Sequence, residues 1–258
     1  MKKKKLDPAI LVAVAVPVIL LLLWEYAGNN NLIKTTLLPT PSEIWKATVA
    51  SIRRGTLQRN TCISLLRVLE GYLLGSALGI LLGIPMGLSG FFRKSMSILT
   101  GVLRPIPIIA WVPILILFLG IDEMSKVVVI AIGTFWPVLT NVMYGVRDVD
   151  VKFLEVSRLF VKSRREIICH VVIPAALPSI FSGLRTAIGI AWISVVGAEL
   201  IASSSGLGFM ISYARELSRA DNMFSGVMII GVIGWLINVL IGKLEKILLK
   251  WNVTVKKD

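Results

Sequence analysis

Apolar residues in this chain run in long blocks separated by short polar and mostly basic stretches. A helix needs about 20 residues to cross a hydrocarbon core of about 30 Å. Six blocks come close to that length and are predicted as spans: Pro8–Ala27, Ile63–Leu88, Ser97–Leu119, Lys126–Tyr144, Ser179–Ile201 and Met223–Leu240. The predicted fold class is an all-α polytopic membrane protein with six transmembrane helices, forming one domain over residues 1–258. The N-terminal block follows Lys2–Lys5 and has the look of a signal peptide. It is read as a retained helix, because the run is long, shows no small-residue cleavage site and precedes five further blocks.

Basic residues set the predicted orientation. With the N-terminus in the cytoplasm, the inside segments hold Lys2–Lys5, Arg93, Lys94, Arg147, Lys152, Arg158, Lys162, Arg164, Arg165, Lys243, Lys246, Lys250, Lys256 and Lys257. That bias places both termini cytoplasmic. The first outside loop, residues 28–62, runs against it with Lys34, Lys46, Arg53, Arg54 and Arg59. Within it, Ser42 is predicted to cap an interfacial helix over about Glu43–Ile52, with Glu43 in its first turn.

Composition supports the membrane class: 55% of the 258 residues are hydrophobic and 17% charged, with a mean hydropathy of +0.81. The net charge of +13 does not point to nucleic acid, since the basic residues cluster between apolar blocks and no nucleic-acid module is visible. Cys62 and Cys169 fall in different predicted compartments, so no disulfide is expected between them, and no metal-ligand spacing exists. His170 reads as a surface or packing residue.

Three features mark the spans. Gly71, Gly75, Gly79, Gly83 and Gly87 recur at a spacing of four in the second span. They form one slowly winding smooth stripe that lets another backbone approach closely. The third span carries Arg104-Pro105-Ile106-Pro107 and Pro113. Prolines remove backbone donors, and broken helices at membrane depth are tolerated where protein or a water-filled cavity re-satisfies them, so this span is placed beside a central pathway. Finally, Arg67, Glu70, Arg104, Arg185 and Glu199 are ionisable residues within or near spans. Such residues usually face the bundle interior or a cavity and are candidates for a translocation path. Other readings stay open: Arg67 and Glu70, three apart, can pair with each other, and Arg104 and Arg185 can snorkel from span ends. Glu199 has no partner nearby in sequence.

The longest inside loop, residues 145–178, holds an amphipathic stretch in which Phe153, Val156 and Phe160 share one face. Such a face needs a burial partner, either the chain's own helix ends and the lipid surface or a groove in another protein. The loop resembles the cytoplasmic EAA loop of binding-protein-dependent ABC transporter permeases. Glu155-Val156-Ser157 stands for its opening triplet and Val171-Val172-Ile173-Pro174 for its close. Val161 occupies the position of the family's glycine, so the turn after the short helix must be built differently. Further segments resemble the nitrate/sulfonate/taurine/bicarbonate branch of these permeases: Leu38–Ser42, Leu66–Gly71, Leu103–Pro107, Gly183-Leu184-Arg185, Ala191-Trp192, Ala198-Glu199 and Ser205–Gly208.

The resemblance implies a type I importer permease fold in the bacterial inner membrane. It implies a homodimer, two ABC ATPase subunits on the cytoplasmic face and an external substrate-binding protein or lipoprotein. Glu155, Val156, Ser157, Leu159, Phe160, Val161 and Pro174 would then form the ATPase-coupling surface. The expected cargo is a sulfonate, taurine, nitrate or related anion, the alternative being a thiamine pyrimidine precursor or other small heterocycle. No phosphate-binding loop is present, so ATP and Mg are expected on the partner ATPase and this chain is not expected to be an enzyme. A secondary transporter is a weaker reading, for want of an internal repeat. A membrane-embedded enzyme would need a nucleophile–base or metal cluster, which one His and two separated Cys do not supply.

Overall fold

The computed structural model describes residues 8–150, 152–153, 155, 157 and 163–248. Its regular elements are all helical among these residues: α1 (Pro8–Asn29), α2 (Pro41–Arg53), α3 (Thr56–Leu88), α4 (Gly90–Leu103), α5 (Ile108–Leu119), α6 (Glu123–Arg147), α7 (Arg164–Ile167), α8 (Ile173–Ile201), α9 (Leu207–Glu216) and α10 (Ala220–Leu248).

The centre of the molecule is the packing of α3 on α6 and of α6 on α8. Along α3 the glycine stripe faces α6 residues that also recur every four positions. A Cβ on Gly71 would lie 2.5 Å from Ile130, on Gly79 2.9 Å from Val138, on Gly83 2.8 Å from Val142 and on Gly87 2.6 Å from Val146. Gly75 is tighter still, with Thr134 Oγ1 at 2.0 Å. A ridge of branched side chains thus lies in a groove of missing ones, the geometry of small-residue helix packing in lipid, where burial of apolar area gives no net drive. The opposite side of α3 is leucine-rich and exposed, with Leu65, Leu66, Leu69, Leu73 and Leu81 pointing outward. Small and polar residues inside, leucines outside, is the inverse of a soluble helix. On α8, Gly183 admits Asn141 of α6, and Gly145 of α6 admits Ser179.

Four described helical stretches are long and apolar enough to cross a membrane: Thr56–Leu88, Glu123–Arg147, Arg164–Ile201 and Ala220–Glu245. The first predicted span falls in α1, whose stretch Ala15–Asn29 is apolar but shorter. The third is corrected. It is not one helix over Ser97–Leu119 but the pair α4 and α5, bent by 92° at Arg104–Pro107. Pro105 and Pro107 cannot donate to a continuing helix, so α4 ends and α5 restarts with Pro107 as its N-cap.

Two boundaries also move. The external-loop helix is capped by Thr40, not Ser42: the Thr40 hydroxyl accepts from the Glu43 N–H at 3.2 Å, and the Glu43 carboxylate accepts from the Thr40 N–H at 2.8 Å. This reciprocal box leaves Pro41 at the first helical position, where its missing N–H costs nothing. Thr48 and Ser225 share a 2.7 Å hydrogen bond that ties α2 to α10. The fifth predicted span begins earlier than Ser179, because α7 runs through a π turn, Ile168–Val172, into α8. In that turn the Ile173 N–H reaches the Ile168 carbonyl. The widened register relieves the clash a proline at 174 would make with the carbonyl four residues earlier.

Candidate functional site

At one end of the bundle, the start of α3, the start of α6, the end of α8 and the start of α9 meet. Arg67 stands at their centre and is 2% exposed. Its Nε and Nη2 donate to the two carboxylate oxygens of Glu123. Its Nη1 donates to Glu199 Oε1 at 2.7 Å and to the Ser205 carbonyl at 2.8 Å, and Nη2 also donates to Ser205 Oγ at 3.0 Å. All donor directions of the guanidinium fork are used.

Glu199 is equally enclosed, at 1% exposure. Ser64 Oγ donates to its carboxylate at 2.8 and 2.9 Å, and the Gly208 N–H donates to Oε2 at 2.9 Å. Ser64 Oγ in turn accepts from the Leu207 N–H at 2.9 Å. The carboxylate therefore lies at the amino end of α9, where free N–H groups favour an anion. Gly206 has φ +108°, and a Cβ there would sit 2.3 Å from the Glu199 carboxylate. Only glycine fits the turn. Its N–H is held by Asn60 Oδ1 at 2.6 Å. Lys126, buried beside them, places Nζ 3.7 Å from Glu123 and donates to the Ile121 and Asp122 carbonyls. Two cations and two carboxylates balance, with Arg67, Lys126 and Glu199 buried and Glu123 on the exposed side of the node.

The second polar region lies between α4 and α6. A groove of about 530 Å³ is lined by Arg93, Ser97, Thr100 and Arg104 from the α4 side and by Trp136 and Thr140 from α6, with no acidic side chain on its walls among the described residues. Among the described residues Arg104 makes no side-chain hydrogen bond and no ion pair, and Arg93 reaches only the Met86 carbonyl, at 3.3 Å.

The residues expected on a translocation path are thus dispersed. Arg67 and Glu199 meet in the closed node. Arg67 does not pair with Glu70, which is exposed on α3. Arg185 pairs with Glu245 of α10 at 2.6 Å, and Arg104 lines the groove. Of the expected coupling residues, Glu155 is helical and exposed. Ser157 is buried and donates to the Phe153 carbonyl, and Pro174 is exposed in the first turn of α8. Val156, Leu159, Phe160 and Val161 lie outside the described residues. Sequence reasoning did not single out Asn60, Ser64, Glu123 or Ser205 for the node, or Arg93 for the groove. The motif segments Leu66–Gly71, Ala198-Glu199 and Ser205–Gly208, which carried the resemblance, are the ones that converge on Arg67.

A bundle of apolar helices laced by one closed ion-pair node is the frame of a polytopic permease. The chain belongs to the family of binding-protein-dependent transport system inner membrane components, whose pattern matches residues 75–251. It is 39% identical over 236 residues to the putative aliphatic sulfonates transport permease protein of Bacillus subtilis, covering 92% of this chain and 86% of that one. It is 31% identical to the taurine transport system permease protein of Escherichia coli, over 92% of this chain and 88% of that one. Against a nitrate import permease protein of Leptolyngbya laminosa identity is 30%, over 87% and 82%. Among solved structures, an amino acid ABC transporter matches with a TM-score of 0.62 at 16% identity, covering 78% of this chain and 95% of that one. An inward-facing methionine ABC transporter matches at 0.59 and 16%, covering 70% and 93%. At that identity the likeness establishes the shared permease fold. The protein is a multi-pass inner-membrane permease component of an ABC-type import system.

Proposed function

We propose that this permease imports a small oxyanion, a sulfonate, taurine, nitrate or bicarbonate, handed to it by an external binding protein and driven by ATP hydrolysed in partner subunits. The observation that carries the reading is the 39% identity to an aliphatic sulfonates permease over nearly the whole chain. In this reading the chain crosses the membrane six times with both termini cytoplasmic, and two copies form the pathway. The node around Arg67 then lies at the external end and the 145–178 loop at the internal one. Two ATPase subunits, which hold ATP and Mg, dock on that loop through Glu155 to Val161 and Pro174.

The physical logic is rigid-body transmission. Closure of the ATPases displaces the loop, which continues into α7 and α8. The glycine seam holds α3 against α6, and the node fastens α8 to both at the far end. A push on the loop is therefore delivered to the three helices as one body. It does work because the two nucleotide states favour different arrangements of the dimer.

The test is deletion of residues 151–165 followed by co-purification with the ATPase from membranes. The deleted chain is expected to insert and to lose the ATPase. Retention of the ATPase would overturn the coupling assignment. Substrate class is tested on the binding protein by thermal shift, where a ligand of the native state raises Tm. A shift with a sulfonate or inorganic oxyanion supports the anion reading, and a shift with an uncharged pyrimidine alone overturns it.

A further inference from the structure

We propose that the polar face of α4 is an anion track, with Arg104 and Arg93 as successive stations for the acidic group of the transported solute. This rests on the anion-importer reading. Arg93, Ser97, Thr100 and Arg104 follow one another at helical spacings of four, three and four, so they fall on a single face of α4. The groove against α6 runs along that face. The other face is apolar and exposed, with Phe91, Ile98, Leu99 and Val102 pointing outward. A helix in lipid does not carry an arginine–hydroxyl stripe unless the stripe meets protein or water.

Charge separates this stripe from the rest of the bundle. The other two span arginines each have a carboxylate: buried Arg67 has Glu123 and Glu199, and exposed Arg185 has Glu245. Among the described residues neither Arg93 nor Arg104 has one, and no acid lines the groove. The hydroxyls between them donate to their own helices, Ser97 to the Lys94 carbonyl at 2.6 Å, Thr100 to the Ser97 carbonyl at 3.1 Å and Thr140 to the Trp136 carbonyl at 2.7 Å. They leave polar surface and no fixed negative charge.

The two arginines are eleven positions apart, about 16 Å along the axis at about 1.5 Å per residue. One small oxyanion cannot bridge that distance, so it would be passed from one station to the next. Transport favours this arrangement, since several weak sites let an ion enter and also leave. Arg104 stands at the 92° break between α4 and α5, so its station moves with any change in that bend.

The experiment reads local potential rather than transport. In a Cys62→Ser/Cys169→Ser background, which removes both native thiols, Thr100→Cys is reconstituted in nanodiscs with the partner ATPase. It is labelled with an anionic and a cationic methanethiosulfonate of equal size. The track predicts faster anionic labelling. The rate ratio should fall about five-fold on adding Arg104→Gln, and again on adding Arg93→Gln, as expected for a unit charge about 8 Å away in water. Ethanesulfonate is expected to slow labelling. An unreactive Thr100→Cys, or a ratio unmoved by both substitutions, overturns the track. Protection by anionic lipid and not by ethanesulfonate overturns it in favour of a lipid headgroup. Uptake by the unsubstituted transporter separates the two levels: an importer that carries only uncharged solute defeats the anion reading even where the labelling ratio behaves as described.

Discussion

Arg67, within α3, and Arg104, at the C-cap of α4, are the same residue type in opposite surroundings. Arg67 is enclosed, every donor is engaged, and two carboxylates and a helix amino end complete a neutral network. Arg104 is exposed on a groove wall that has a second arginine and, among the described residues, no acid. A saturated arginine fastens helices, because it has nothing left to offer a solute. An unsaturated one keeps its donors available, which is what the proposed anion track requires of Arg104.

That contrast is broken most severely at the node. Glu199→Ala removes the acceptor from Arg67, Ser64 and Gly208 at once and leaves a buried cation underpaired. Stripping one partner from a buried pair costs about 3–5 kcal/mol, so a large loss of thermal stability in detergent is expected by fluorescence-detected gel filtration. Arg104→Gln, by contrast, is expected to leave the melting profile unchanged. A Glu199→Ala variant as stable as the parent would show that the node is not the fastening.

Next in size is the seam. Gly79→Val drives a branched side chain into Val138, and overpacking of this kind costs about 1–3 kcal/mol. It is expected to lower both stability and the yield of assembled complex, whereas Leu81→Val on the outer face of α3 is expected to do neither. Thr40→Ala opens the capping box of α2 and should cost about 1 kcal/mol. Thr40→Ser should restore most of that loss in the same melting assay.

The smallest effect is expected at Arg185. Its pair with Glu245 is partly exposed, and pairs of that kind are worth about 0–1 kcal/mol. A double-mutant cycle with Arg185→Gln and Glu245→Gln should return a coupling energy near the lower end. A value as large as that of the Arg67–Glu199 cycle would erase the distinction between enclosed and open arginines.

The sequence carried the seam and only fragments of the node, for a physical reason. Glycines every four residues are a local pattern, and the facing row of Ile130, Thr134, Val138, Val142 and Val146 has the same period. The node is built from residues separated by 132 positions (Arg67 and Glu199) and 56 positions (Arg67 and Glu123). No local period links them, and the i, i+3 neighbour Glu70 offered a nearer, false partner. The groove was hidden by a boundary. Starting the third span at Ser97 left Arg93 among the basic residues of a loop, although Ser89 caps α4 by accepting from the Phe92 N–H at 3.3 Å. Read from Gly90, the Arg93–Ser97–Thr100–Arg104 face follows from helical spacing alone. The prolines at 105 and 107 did announce a break, but not its 92° angle.

The most direct measurement is uptake of labelled ethanesulfonate into proteoliposomes holding this permease, its ATPase and its binding protein, with the proton gradient collapsed. Uptake that follows internal or external ATP on the ATPase side and stops without the binding protein is the expected result. Uptake that fails with ATP present and returns without ATP once a proton gradient is restored would contradict the assignment of this chain to an ATP-driven anion importer.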